Sequence, residues 1–338
     1  MKIALLFPGY GSQSVGMGKE LYDEYRIVQE YFEEASHVLN NNFVKLCFAS
    51  SDAELSKLVN AYSSLFLIGT ATYAVLKEQG IEPDVVAGYN NGESAALFAA
   101  SCFSFPDGLY LLNKFCLFYQ EVIDGMDVDS IIVTGVSTAQ LENACKQVSN
   151  DVSSGLSSVA LAKEEALAKK DEGKIFIAIY NSPTEHIVAG NRNQIAQIQD
   201  MFGAQAVIEY VGVEVGLHSS LMNGVVDLFK NFLEKVDFKD LKIPLISCID
   251  GNIVTTGSDT KERFISHINS PLEWYRVVRA LADYDCILVA SPGGDLSEMI
   301  KKHYPEKVIM SIAKKADIDT LKEMIKIEHE KTGLIDDN

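Results

Sequence analysis

Residues 88–93 read GYNNGE and follow directly on the apolar run Val85-Val86-Ala87. Glycine-x-residue-x-glycine between a strand and a helix is the pattern of a nucleophile elbow, a strained turn that lifts one side chain to its tip. The two glycines are needed because neighbouring backbone crowds the tip. Here the tip is Asn90, an amide with neither the acidity nor the nucleophilicity to form an acyl-enzyme. The following run, ESAALFAASCF, reads as a helix whose first amides face whatever occupies the tip, which suits an oxyanion. Taken alone, the hexapeptide is better read as a tight turn without chemistry. Two further segments could complete a site. The loop FPGYGSQSVGMGKEL is punctuated by glycines and could bring backbone amides to a reacting oxygen. The segment VEVGLHSSLM, read as an alternating strand, delivers His218 at its end as a candidate general base.

The elements that must position these residues form an α/β pattern. Strand-like runs at 2–7, 84–89, 174–180, 205–215, 242–249, 285–291 and 307–312 are separated by longer helical stretches. That alternation implies a mostly parallel sheet with helices on both faces. Residues 128–205 stand apart as strand, helix, strand, strand, helix, which suits a small ferredoxin-like α+β subdomain inserted into the larger one. The expected division is therefore 1–127 with 206–315 as the large subdomain, 128–205 as the small one, and 316–338 as a C-terminal helix and tail. Within the insertion, ALAKEEALAKKDEGK reads as an exposed helix or excursion and not as a site.

Composition narrows the function classes. The chain has 338 residues and a net charge of −18, which argues against nucleic acid and anionic membrane as partners, since phosphate binding needs a basic surface. An acidic ligand would have to find a local basic patch, and Lys301, Lys302, Lys307, Lys314 and Lys315 are one candidate. The six cysteines are widely spread without a CxxC pair, so they read as buried reduced thiols, and no metal site is expected. The start, MKIALLFPGYG, reads as a buried strand and not a signal peptide. No run suggests the roughly 20 apolar residues of a membrane span. A cytoplasmic location is expected.

In their order and spacing, FPGYGSQ, GYNNGE and LHSSLM resemble the malonyl-CoA:acyl carrier protein transacylase family and the acyltransferase domains of polyketide synthases, whose pattern is FPGQGSQ, GHSLGE and a histidine followed by Ser and Met. YNSPTEHIVAGN, NSPLEW and SPGG match further stretches, so the resemblance runs from residue 2 to about 315. It implies a serine hydrolase-like core with a ferredoxin-like lobe and a site in the cleft between them. It also implies ping-pong transfer from acyl-CoA to the phosphopantetheine thiol of acyl carrier protein, with no permanently bound cofactor. By the same resemblance, the backbone amides of Tyr10 and Asn91 form the oxyanion hole, and the main-chain carbonyl of His267 orients His218. The family is usually monomeric.

Against that pattern, Asn90 replaces the nucleophilic serine, and Ser94, one helical turn further on, is not expected to substitute. Tyr89 and Tyr10 stand at positions where the family commonly has histidine and glutamine. Phe115 falls where the family's arginine grips a malonyl carboxylate, so the acyl pocket, completed by Leu217 and Tyr89, should be apolar and favour uncharged acyl groups. Three readings of the missing serine stay open. The chain could be an acyltransferase or acyl hydrolase in which serine was exchanged for asparagine to trap a ligand. It could be a non-catalytic homologue that binds carrier protein or CoA. It could also be a residual hydrolase in which His218 activates water.

Overall fold

The computed structural model describes residues 1–155 and 174–336, so most of the ALAKEEALAKKDEGK stretch lies outside the described residues. Among the described residues, ten strands form two sheets. The first contains β1 (Ile3–Phe7), β2 (Val85–Gly88), β7 (Leu245–Ile246), β8 (Ile253–Val254), β9 (Cys286–Ala290) and β10 (Val308–Ile312) in the order β10-β9-β1-β2-β7-β8. Its pairs are parallel except for the β7–β8 hairpin at one edge. The central strand IALLF is buried at every position, as a strand covered on both faces must be. Each such side chain contributes roughly 1.5–3 kcal/mol of burial. This matches the expected α/β class.

The second sheet, β3 (Val128–Thr134), β4 (Ile175–Ser182), β5 (Glu185–Asn191) and β6 (Val207–Tyr210), is antiparallel in the order β4-β5-β3-β6. With the helices Thr138–Gly155 and Arg192–Phe202 it makes the β-α-β-β-α-β order of a ferredoxin-like unit. The expected boundary at 205 falls short of β6, which pairs along β3 through Val207–Tyr210. The C-terminal helix runs from Lys315 to Asp336.

Three sequence expectations need correction. Residues 205–215 do not continue as a strand into His218: after Tyr210 the chain turns, with positive φ at Glu214 (65°), Gly216 (75°) and His218 (57°). Its backbone groups there are satisfied outside any ladder, Gly216 N–H by Ser130 Oγ at 3.0 Å and His218 N–H by the Ile268 carbonyl at 3.0 Å. The run 242–249 yields only the two-residue β7, because residues 247–252 form a turn closed by a hydrogen bond from Ser247 N–H to the Asn252 carbonyl. Lastly, the helix Leu58–Glu78 is long and apolar enough to suit a membrane span, yet 78% of its most apolar window is buried and it serves as a core helix against the sheet. All six cysteines are buried and free.

Candidate functional site

The elbow forms where β2 gives way to a turn at Asn90–Gly92 and then to the helix Glu93–Ala99. Asn90 takes φ 52°, a left-handed conformation that costs a non-glycine residue roughly 1–2 kcal/mol. Its flanking glycines are required by close approach. A Cβ on Gly88 would lie 2.0 Å from the Glu93 nitrogen, and one on Gly92 would lie 2.3 Å from the Phe7 carbonyl oxygen. The end of β1 therefore packs directly against the elbow and carries the Tyr10 loop beside it.

Both histidines converge on the tip. His218 Nδ1–H donates to the His267 carbonyl at 2.6 Å, and His267 Nε2–H donates to the Asn90 carbonyl at 3.1 Å. These contacts fix both tautomers and leave His218 Nε2 with a bare lone pair. Burial lowers the His218 pKa to about 4, and it pushes His267 well below the usual histidine range, with His218 nearby adding to the effect. Both rings are neutral near pH 7. Asn90, Phe115, Leu217, His218 and Phe229 line a cavity of about 40 Å³ beside the tip. Phe115 stacks on Tyr62 at 5.7 Å between ring centroids and meets Phe229 edge-on, so part of the cavity wall is aromatic.

Two expected residues are placed differently. Tyr89 does not line the cavity: its ring packs edge-on against Trp274, and its hydroxyl donates to Asn181 Oδ1 at 3.0 Å, because the side chain after Gly88 leaves on the far face of the strand. Tyr10 N–H does lie beside the elbow, but it donates to the side-chain Oδ1 of Asn91 at 2.6 Å. An amide carbonyl thus sits on this donor, where a substrate oxygen would have to go. Ser94 is buried one turn down the helix and borders the cavity from below.

The residue that sequence reasoning missed is Glu214. Its Oε1 accepts from the Tyr62 hydroxyl and its Oε2 accepts from Asn90 Nδ2 at 2.8 Å. Burial raises its pKa to about 7, against the lowering effect of both hydrogen bonds. A strand reading of VEVGLH makes Glu214 the solvent-facing member of an alternation; the available signal was an acid four residues before His218. Of the candidate basic patch, Lys307 Nζ is engaged by the carbonyls of Ala282 and Tyr284, and Lys315 pairs with Asp319. Lys302 lines a separate cleft together with Asp295 and Glu298 of its own helix, Gly294–His303.

Residues 4–122 match the acyl transferase domain family. A malonyl CoA-acyl carrier protein transacylase of Bacillus subtilis is 29% identical over 306 residues, covering 89% of this chain and 90% of the relative. The chain is thus similar to the acyl transferase domain over its first third and to malonyl CoA-acyl carrier protein transacylases over most of its length. The polyketide biosynthesis protein ThaF of Burkholderia thailandensis is 28% identical over 90% of this chain, which spans 24% of that longer protein. Among solved structures, an acyl carrier protein S-malonyltransferase from Vibrio cholerae superposes with a TM-score of 0.84 at 23% identity, over 95% of this chain and 100% of that one. A malonyl-transacylase solved in complex with its type II polyketide synthase acyl carrier protein gives 0.84 at 22% identity, over 95% and 98%. Each of these two structures supports the fold alone.

Proposed function

We propose that this chain is a transacylase-type protein of fatty acid or polyketide biosynthesis, cytoplasmic and monomeric, that binds uncharged acyl thioesters of CoA and acyl carrier protein without forming an acyl-enzyme. The carrying observation is Asn90 at the elbow tip, with its amide held by the Glu214 carboxylate. The aromatic wall at Phe115 supports the preference for uncharged acyl groups, since a malonyl carboxylate would meet a ring and lie near a second acid. A trapping exchange at residue 90 alone accounts for neither Glu214, nor Phe115, nor the Asn91 side chain on the Tyr10 amide. A carrier-protein or CoA binder that forms no acyl-enzyme is therefore favoured over a trapped transferase.

The test is to incubate the chain and its Asn90→Ser variant with acetyl-, butyryl- and malonyl-CoA, then to record intact mass, transfer to a carrier protein, and carrier binding by calorimetry. Binding without an adduct on the unsubstituted chain is expected. An acyl adduct at residue 90 of the unsubstituted chain, or malonyl-CoA bound as tightly as butyryl-CoA, overturns the reading.

A further inference from the structure

We infer that Asn90 and His218 together hold a water molecule as the attacking group for hydrolysis of a short, uncharged acyl thioester. This deepens the reading above and rests on it, because it assigns a reaction to the same site. Among the described residues, Asn90 Oδ1 and His218 Nε2 are buried side-chain atoms without a hydrogen-bond partner, and both residues border the same cavity. Asn90 is 4% exposed and His218 is 3% exposed. Their hydrogen-bonding character is fixed from behind. In its ionised form Glu214 can only accept, and it does so from Asn90 Nδ2, which leaves the amide oxygen on the other side. The His267 carbonyl accepts from Nδ1–H of His218, so Nε2 is an acceptor. Two acceptors border one small space, and neither can donate to the other.

A molecule that satisfies both must carry two donors, and water is the smallest that does. A cavity of about 40 Å³ admits it, since one water needs roughly 10–15 Å³. Water donating one hydrogen to Nε2 and the other to Oδ1 keeps its lone pairs for a carbonyl carbon in the cavity. The step balances. The water oxygen bonds to the thioester carbon as His218 Nε2 takes its proton, the tetrahedral oxyanion collapses, and the C–S bond breaks. The departing thiolate recovers the proton from His218, giving a carboxylic acid and a free thiol. The thioester oxygen displaces Asn91 Oδ1 from the Tyr10 amide as the substrate enters. Glu214 is a positioning residue here, since it acts only through the orientation of Asn90.

The test uses the full chain with butyryl-CoA, following binding by calorimetry, thiol release with a thiol reagent, and intact mass. Binding, thiol release above buffer and no protein adduct are expected. His218→Ala should lower turnover by about 100-fold or more with binding retained, as for a lost general base. Asn90→Leu should also lower it. Glu214→Gln lets residue 214 donate to Asn90 and turn its amide around, so kcat should fall at least about tenfold with KM unchanged, which a merely structural role would not produce. Binding without thiol release overturns the inference and leaves the earlier reading standing, and so does turnover that survives in both His218→Ala and Asn90→Leu. Failure of the unsubstituted chain to bind any acyl-CoA overturns the earlier reading itself. If either variant fails to fold, a crystal structure of the unsubstituted chain decides: an ordered water within hydrogen-bonding distance of both Asn90 Oδ1 and His218 Nε2 supports the assignment, and its absence overturns it.

Discussion

Removing the Asn91 side chain should make the protein less stable and a better binder at once. In the free protein Asn91 Oδ1 accepts from Tyr10 N–H at 2.6 Å, so an incoming thioester oxygen must break that bond before making its own. A neutral hydrogen bond contributes about 0.5–1.5 kcal/mol net. Asn91→Ala should therefore lower folding stability by about that amount, and no more, because Tyr10 is only half-buried and water can reach the freed amide. The same quantity no longer opposes substrate, so affinity for butyryl-CoA should rise roughly two- to twelve-fold. Urea unfolding and calorimetric titration of one preparation measure the two effects. A loss of stability with unchanged or weaker binding would refute the idea that the amide is a substrate donor held closed by its neighbour. A gain in binding without a loss of stability would refute the bond as a contributor to the free state.

Restoring a cation at Phe115 should reverse the acyl preference: a charge-assisted hydrogen bond contributes about 1.5–3 kcal/mol, so Phe115→Arg should raise the malonyl-to-butyryl affinity ratio at least about tenfold. An unchanged ratio in calorimetry counts against the pocket assignment. Gly92→Ala should lose about 3 kcal/mol or more of stability, because its Cβ meets the Phe7 and Pro8 carbonyl oxygens at 2.3 and 2.6 Å. Gly125→Ala, whose Cβ would have its nearest neighbour at 3.9 Å, should stay within about 0.5 kcal/mol in the same denaturation assay. Glu214 should give the stability profile a distinctive pH dependence. Its folded pKa, about 7, lies above its ordinary 4.5, so between these values the folded state binds more protons and stability falls as pH rises. The groups that sense its charge, Tyr62, Cys116, Tyr119, Tyr10 and Tyr89, are weak acids pushed up mainly by burial and further by Glu214. Asn90 is neutral, and the shift of Glu214 itself is set by burial, Tyr62 and Asn90, with no cation among them. His218, lowered from 6.5 to about 4, contributes the opposite slope over its own interval. The difference between the unsubstituted chain and Glu214→Gln isolates the glutamate, and a difference that is flat across pH 4.5 to 7 would show that the carboxyl is not perturbed by burial.

Much of the fold was legible because its signals are local. IALLF and CILVA are continuous apolar runs of strand length and form β1 and β9, and the consecutive strands expected within 128–205 form the hairpin of β4 and β5. The elbow was legible from its glycines. What was not legible depends on contacts between distant segments. Nothing in VEVGLH announces that Glu214 will turn inward, since its direction is set by left-handed backbone at 214 and 218 and by Tyr62 from the core helix. Likewise the sequence offers the Tyr10 amide as a donor, but only the structure shows Asn91 on it, because the two are 81 residues apart and meet through the β1–β2 pairing.

The site divides according to what carries each part. The His267 carbonyl is a backbone feature of the helix Gly257–Asn269, and the elbow turn and the Tyr10 amide are backbone features held by the register of β1 against β2 and by glycines that admit no Cβ. They cannot change unless the central sheet changes with them. Asn90, Asn91, Phe115 and Glu214 contribute side chains, and these can differ while the sheet stays put. On the proposed reading, three of them bear on acyl handling in separate ways: no nucleophile at the tip, an occupied backbone donor, and no cation for a carboxylated acyl group. Glu214 links the first of these to a new geometry, because it turns the Asn90 amide oxygen toward the cavity shared with His218. The histidine has a supporting carbonyl and a free lone pair, so the proposed base is in place. What the side chains have altered is the group that the base can serve.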